Sequence, residues 1–158
     1  MRCIAQAVAA RGWLLRSGGS PGADTAFEEG CDLAGGRKEI YLPWRGFNGS
    51  DSPLYATPAE AMNIALQVHP ELRARSWRVR KLRSRNVCQL LGQSLDEPSN
   101  FVIAWTEGGV PVGGSATVLQ LAQARGIPVI NLGRAEYSGA DSETILRRIS
   151  LRISSSNQ

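Results

Sequence analysis

The sequence has few of the residues that build metal centres and disulfide frameworks. Its 158 residues include one histidine and three cysteines, Cys3, Cys31 and Cys88, without a Cys-x-x-Cys spacing. This pattern argues against a disulfide scaffold or a zinc site, so we expect no metal, no cofactor and a reducing, cytoplasmic location. No apolar run approaches the roughly 20 residues of a membrane span, and Gln6 and Arg11 interrupt the only candidate for a signal peptide.

The composition is otherwise that of an ordinary globular domain. Hydrophobic residues make up 42% of the chain and charged residues 20%, with a net charge of +4 that favours anionic partners. The length fits one domain, which we predict over residues 1–153, with a frayed tail over 154–158. Most of the 17 glycines fall in two clusters, which indicates specialised loops rather than low complexity.

Short apolar runs alternate with helical patterns along the chain. We predict strands over 13–15, 39–42, 101–106 and 127–132, and helices over 1–8, 23–33, 57–69, 76–91, 115–125 and 142–153. This alternation predicts an α/β fold, a Rossmann-like three-layer sandwich with a mainly parallel sheet. Because the chain opens on a helix where this architecture usually opens on a strand, absence of the usual first strand stays an open alternative.

Two glycine-rich loops each follow a predicted strand and precede a predicted helix. The first glycine loop covers residues 16–24 and the second covers residues 105–117. Such loops meet at the carboxyl edge of a parallel sheet, where backbone N–H groups and helix N-termini can hold an anion. Tight turns that allow close helix–sheet packing are the alternative. The candidate ligand contacts are Arg16, Ser17, Gly18, Gly19, Gly22, Thr106, Gly108, Gly109, Gly113, Gly114, Ser115 and Thr117.

Neither loop carries the lysine of a Walker motif or a strict G-x-G-x-x-G, which disfavours an ATPase or a dehydrogenase. Four segments instead resemble a known family: Arg-Ser-Gly-Gly-x-x-Gly-Ala-Asp-x-Ala-Phe-Glu at 16–28, Glu-Ile-Tyr-Leu-Pro-Trp at 39–44, Arg-Asn-Val-x-Gln-x-Leu-Gly at 85–92, and Trp-Thr-x-Gly-Gly with Gly-Gly-Ser at 105–115. They are similar to DprA-like, or DNA-recombination-mediator-like, proteins of phages and bacteria in the SLOG superfamily. That superfamily also contains the LOG-type nucleotide phosphoribohydrolases.

The resemblance spans about residues 4–133 and implies a Rossmann-like nucleotide-binding domain that forms a homodimer or higher homo-oligomer. Members of this superfamily bind nucleotides or nucleotide-derived molecules, some hydrolyse an N-glycosidic bond, and DprA proper binds single-stranded DNA. Two features depart from the family pattern. No strand with a Gly-x-Gly-Ser-Arg loop opens the chain, and residues 113–120 lack the glutamate of LOG enzymes. Nucleotide binding, hydrolysis, DNA binding and an inactive truncated member therefore all stay open.

Three carboxylates are candidates for catalysis. Asp24 and Glu28 are four residues apart at a helix start, so both lie on one face beside the first glycine loop. Such a pair could act on a glycosidic bond, one as general acid and the other as nucleophile or stabiliser. The alternative is that Asp24 caps the helix and Glu28 is solvated. Glu107, in the second loop, is a third candidate or a plain turn residue.

A basic segment with one tryptophan precedes the apolar strand at 101–106. Leu82, Asn86 and Leu90 form an inward stripe, so we expect Asn86 to be buried and bonded to backbone or ligand. Arg85 lies beside this stripe, where it could bind a phosphate. The other members are candidates for non-specific contact with single-stranded nucleic acid, or form a solvated charged face. They are Arg73, Arg75, Trp77, Arg78, Arg80, Lys81 and Arg83.

Overall fold

Short strands alternate with helices along the whole described chain, which gives a mixed α/β fold. A computed structural model describes the backbone of residues 1–156 and the side chains of residues 1–154. The elements in chain order are α1 (Arg2–Ala9), β1 (Leu15–Ser17), α2 (Ala23–Leu33), β2 (Lys38–Ile40), α3 (Ala59–Val68), α4 (Trp77–Leu91), β3 (Val102–Ala104), α5 (Ala116–Ala124), β4 (Val129–Asn131) and α6 (Ser142–Ser156). No helix within residues 1–156 has the length and apolar character to cross a membrane.

The helix and strand boundaries follow the sequence pattern with small shifts. Strand β1 lies two residues later than predicted, so Arg16 and Ser17 belong to the strand and not to the loop after it. Helix α3 begins at Ala59 behind an N-cap Pro58, and no side-chain cap supports it. Helix α6 continues to Ser156, which is longer than expected, and the rest of the predicted tail lies outside the described residues.

The strands pair in two separate parallel sheets, which corrects the expectation of one sheet. Strands β1 and β2 pair with Arg16 opposite Glu39, and strands β3 and β4 pair with Ile103 opposite Ile130. Each sheet has two strands within the described residues, and residues of β1 and of β3 line one cavity. The carboxyl ends of β1 and β3 lead into the first and second glycine loops, as predicted.

Two hydrophobic clusters cover the strands on opposite sides. Helices α1, α2 and α6 contribute to one cluster, whose members include Ile4, Phe27 and Ile145. Helices α3, α4 and α5 form the other, around Val87 and Leu91. Each such buried side chain contributes roughly 1.5–3 kcal/mol of transfer free energy. The result is a layered arrangement that fixes α2, α4 and α5 around the cavity.

Candidate functional site

The cavity between β1 and β3 has a volume of about 730 Å³ and opens beside both glycine loops. Ser20 and Asp24 line it from the first loop, and Gly114 and Ser115 line it from the second. Helix α4 contributes Arg85 to the same lining. A cavity of this size matches the range of roughly 300–1,000 Å³ that small-molecule sites occupy.

Helix α4 connects the two loops through hydrogen bonds from Arg85 and Asn86. Arg85 donates to the carbonyl of Gly18, to the carbonyl of Tyr41 at 3.1 Å and to the hydroxyl of Ser20 at 3.2 Å. Asn86 donates from Nδ2 to the carbonyl of Gly114 at 2.8 Å. Both side chains are buried, which the stripe on α4 predicted for Asn86 and not for Arg85. One helix therefore sets the spacing of the two glycine loops.

The Arg85 side chain is 4% exposed, so its charge sits in a poorly solvated environment. Burial lowers the pKa of Arg85, while the negative charges of Asp24 and Glu28 oppose that shift. A guanidinium stays protonated in proteins, so Arg85 supplies a positive charge to the cavity wall. Its Nε has no hydrogen-bond partner among the described residues and could serve a bound anion.

Arg83 was predicted to contact nucleic acid, and the structure instead directs it to the second glycine loop. It donates to the carbonyl of Gly114 at 2.7 Å and to the hydroxyl of Thr117 at 3.3 Å. Burial lowers the pKa of Arg83 below its usual value. The second loop is thus held from α4 by two side chains, Arg83 and Asn86.

The paired carboxylates of α2 hold the shape of the first glycine loop. Glu28 accepts hydrogen bonds from the Ser17 hydroxyl at 2.6 Å and from the Gly19 N–H at 3.1 Å. Asp24 accepts from the Ser20 N–H at 3.1 Å. These two loop N–H groups are therefore already occupied. The structure shows a supporting role for both acids that the sequence left open as capping or solvation.

Arg16 lies in β1 just before the first loop, and Gly22 lies at the other end of that loop. The guanidinium of Arg16 is paired, because its Nε donates to Glu39 Oε2 at 2.9 Å and a second nitrogen donates to the Glu97 carbonyl. Gly22 is the N-cap of α2 with φ +98°, a conformation that favours glycine. A Cβ built there would meet no atom within 4 Å, so this position is open.

The second glycine loop begins on a buried network around Asn131, the last residue of β4. Asn131 Oδ1 accepts from the N–H groups of Thr106 at 3.1 Å and Gly133 at 3.2 Å, and its Nδ2 donates to the Thr106 hydroxyl at 2.6 Å. A Cβ on Gly133 would collide with the Thr106 carbonyl. The sequence analysis missed Asn131, although an amide that ends an apolar strand is a usable signal.

Several predicted ligand contacts of the second loop are internal. The Thr106 and Thr117 side chains are buried and bonded within the protein, and a Cβ on buried Gly109 would meet Arg134. The structure therefore shows internal contacts at these three positions, and the Gly109 N–H donates to the Thr106 carbonyl at 2.9 Å; their contact with a ligand stays a prediction. Other members of the loop are exposed or partly exposed: Gly108, Gly113, Gly114 and Ser115.

Two side chains from the turn at Phe47–Gly49 support the first loop, and neither was predicted. Asn48 donates from Nδ2 to the Gly19 carbonyl at 2.9 Å, and it adopts φ 52°. The Phe47 ring lies 5.7 Å from the guanidinium carbon of Arg85. An asparagine directly before a glycine, as in Asn48-Gly49, is a typical left-handed turn position and could have marked this contact.

The remaining candidates lie away from the cavity. Glu107 is exposed and does not line the cavity described between β1 and β3. Trp77 is 54% exposed, lies 5.5 Å from the Trp44 ring and has Arg78 5.9 Å from its centroid. The outward basic side chains are Arg73, Arg75, Arg78, Arg80 and Lys81. They form a surface separate from the buried pair Arg85 and Asn86.

Comparison with known proteins adds no family assignment. No family model, no curated protein and no solved structure matches the chain. The function must therefore be inferred from the geometry of the cavity and the two loops.

Proposed function

We propose that this chain is a Rossmann-like domain of the SLOG type that binds a nucleotide or a related phosphate-bearing molecule in the cavity between its two glycine loops. One observation carries the proposal: adjacent residues of α4, Arg85 and Asn86, bond to Gly18 of the first loop and Gly114 of the second. Both loops therefore face one cavity, which also contains a buried positive charge. This combination suits an anionic ligand.

The contacts favour the second loop as the phosphate site. In the first loop the N–H groups of Gly19 and Ser20 already serve Glu28 and Asp24, whose charges would repel a phosphate. Gly113 and Gly114 are exposed, and a Cβ on either would meet no atom within 4 Å. They precede α5, whose first turn leaves N–H groups without partners within the helix, although the Ala116 N–H donates to the Gly113 carbonyl, and Ser115 makes no side-chain cap.

A phosphate on the second loop would bring the sugar of a nucleotide towards Asp24. This carboxylate lines the cavity and has lone pairs beyond the one that accepts from Ser20. It can therefore accept from a ribose hydroxyl while still holding the first loop. Since Asp24 and Glu28 are committed to supporting the loop, we favour binding over hydrolysis of an N-glycosidic bond.

The direct test is calorimetric titration with a panel of ribo- and deoxyribonucleoside monophosphates. Gly114→Ala and Gly114→Val form a graded series, because a Cβ at Gly114 meets no atom within 4 Å and valine adds two further methyl groups to it. We expect affinity to fall from glycine to alanine to valine, by about 100-fold overall, as the side chain blocks approach to the backbone N–H groups. Thermal unfolding of the free proteins checks that both variants are folded.

Unchanged affinity in a folded Gly114→Val protein would rule out the second loop as the phosphate site. Absence of binding by every nucleotide would favour the inactive-member alternative. Chromatography of the same mixtures reports hydrolysis, because a released free base has a distinct retention. Base release that disappears in both Asp24→Asn and Glu28→Gln would assign an enzymatic function to these carboxylates and replace the binding proposal.

A second candidate function is non-specific binding of single-stranded nucleic acid, favoured by an aromatic surface beside the exposed arginines. The ring centroid of Trp44 lies 5.2 Å from that of Phe47 and 5.5 Å from that of the exposed Trp77. Bases stack on such rings for roughly 1–3 kcal/mol each, and neighbouring Arg78 and Arg80 can contact phosphates. Trp77→Ala should weaken binding of an oligothymidine about tenfold, and affinity should fall steeply with salt. Tight, salt-insensitive binding would contradict this mode.

The proposal also includes a homo-oligomer, as the family resemblance implies, and a cytoplasmic location. The three cysteines are free among the described residues, which is compatible with a reducing compartment. Sedimentation velocity tests the first point, since a monomer at every concentration would contradict it. Fractionation of cells that express the chain tests the second.

A further inference from the structure

Each of the two small sheets leaves one strand, β1 or β3, with its unpaired edge beside the same cavity. Within the described residues, strand β1 pairs with β2 alone and strand β3 pairs with β4 alone. Leu15, Arg16 and Ser17 line the cavity from β1, and Val102 to Ala104 line it from β3. An unpaired edge of this kind is a template for pairing with another strand.

The printed hydrogen bonds show which backbone groups face the cavity. The Leu15 N–H donates to the Arg37 carbonyl at 3.0 Å, and the Ser17 carbonyl accepts from the Tyr41 N–H at 2.8 Å. Residues 15 and 17 therefore face β2. Since the direction alternates along a strand, the N–H and C=O of Arg16 point towards the cavity.

Strand β3 shows the same alternation. The Val102 N–H donates to the Pro128 carbonyl at 2.8 Å, and the Ala104 carbonyl accepts from the Leu132 N–H at 2.7 Å. Both residues therefore face β4, so the N–H and C=O of Ile103 point towards the cavity. Arg16 and Ile103 therefore lie on opposite walls of the cavity. Each presents one backbone N–H donor and one backbone C=O acceptor to it.

The other two walls of this part of the cavity are mainly apolar and come from helices on both faces. Ala5 and Val8 of α1 lie on the side of one hydrophobic cluster, together with Phe27. Leu90 of α4 and Val118 of α5 lie on the side of the other. A group placed here is enclosed by strand edges on two sides and by apolar side chains on the other two, which is the environment of a central strand in a parallel sheet.

We propose that this slot between β1 and β3 binds one extended segment of another polypeptide, apolar on both faces and running parallel to both strands. Its backbone would pair with Arg16 on one side and Ile103 on the other, and would join the two sheets into one five-stranded sheet. A polypeptide backbone offers alternating donors and acceptors along both of its edges, which a nucleotide does not. The segment would be rich in Val, Ile or Ala and free of proline.

A second copy of the described residues is a poor occupant for this slot. Its apolar strands β3 and β4 already pair with each other, and its exposed segment at residues 50–57 contains Pro53 and Asp51. The proposed partner is therefore a different polypeptide that carries a free apolar strand. This inference is independent of the nucleotide site, which lies at the carboxyl ends of the same strands.

The probe is a synthetic peptide with a core of five Val, Ile and Ala residues flanked by two lysines at each end. Its matched control has the same sequence with alternate core amides methylated, which removes their donors. Amide hydrogen exchange, followed by NMR, should slow at least about tenfold at Arg16 and Ile103 when the peptide binds. The Ser17 and Val102 amides, which face their own partner strands, should change much less. The methylated peptide should not protect either site.

Three results would overturn the proposal: no binding of the peptide, equal protection by the methylated peptide, or slow exchange at Arg16 and Ile103 before any peptide is added. Protection of both amides by a nucleoside monophosphate alone would assign the slot to the nucleotide instead. A second variant separates the two sites. Val8→Trp enlarges a side chain of the slot wall and should reduce peptide affinity about tenfold or more, a larger loss than that of nucleotide affinity. Gly114→Val should show the opposite pattern.

Discussion

Arg85 and Asn86 are neighbours in the chain, yet they donate hydrogen bonds to two different glycine loops, at the carbonyls of Gly18 and Gly114. Both donors lie on the buried side of α4. A helix is a rigid element, so its two side chains fix the separation of loops that follow different sheets. The cavity mouth therefore depends on α4 as much as on the loops themselves.

The close approach of Gly18 to Arg85 predicts a large cost for any side chain at this position. A Cβ on Gly18 would collide with the Arg85 guanidinium, whereas a Cβ on Gly114 would meet no atom within 4 Å. Gly18→Ala should therefore lower the free energy of unfolding by about 2 kcal/mol, and Gly114→Ala by much less. Urea denaturation measures both. Equal stability of the two variants would show that Arg85 can move aside.

Loss of the Asn86 side-chain amide should loosen the second loop and weaken the binding of the nucleotide. Asn86→Ala removes a buried bond to Gly114, worth about 1 kcal/mol, so we expect roughly fivefold weaker binding of the best nucleoside monophosphate. Gln93→Ala is the matched control, because Gln93 donates to the Ala56 carbonyl at 2.7 Å, far from the loops in sequence. Titration calorimetry compares them. If both variants lost the same amount of affinity, the hydrogen bond from Asn86 to Gly114 would not be what supports nucleotide binding.

The support that Glu28 gives to the first loop predicts a loss of stability on neutralisation. Glu28→Gln replaces a carboxylate that accepts from Ser17 and Gly19, so the free energy of unfolding should fall by about 1–2 kcal/mol. Glu29→Gln is the control, because the adjacent Glu29 forms only an exposed ion pair with Arg2. Thermal and urea unfolding measure the difference. If Glu28→Gln is as stable as Glu29→Gln, the loop does not depend on this carboxylate.

The three cysteines should differ sharply in reactivity. Burial raises the pKa of Cys88 to about 11 and also raises the pKa of Cys31, so both thiols stay protonated near neutral pH. At pH 8 only about one Cys88 in a thousand would be the reactive thiolate. Maleimide should therefore label exposed Cys3 first and all three residues in urea, as counted by mass spectrometry. Rapid labelling of Cys88 in the folded protein would indicate local opening of α4.

Local sequence signals predicted the helices well because each carries its own periodic pattern. Helix α2 begins directly after the first glycine loop and ends just before the two glycines Gly35 and Gly36. The stripe on α4 correctly predicted that the Asn86 side chain is buried. The strands were harder to place, since each has only three residues and too few alternations to define a boundary. This is why β1 lies two residues later than expected.

The sequence predicted where the candidate site lies, but not which residues form hydrogen bonds to one another there. Glycine clustering located both loops, but Asn48 and Asn131 were missed because each supports a loop from a distant part of the chain. Thr117 was taken for a ligand contact, whereas its side chain is fully buried against Arg83. A local pattern can mark such an asparagine as unusual, but it does not identify a hydrogen-bond partner that is far away in sequence.

The sequence by itself determined the order of helices and strands, the positions of the two glycine loops and the burial of Asn86, because these follow from local periodicity and from the conformational freedom of glycine. Only the tertiary structure decided that the parallel strands form two sheets with a slot between Arg16 and Ile103. It also decided that Asp24 and Glu28 hold a loop together. Both outcomes depend on which backbone groups are left unpaired once distant elements pack, and that is a property of the whole fold.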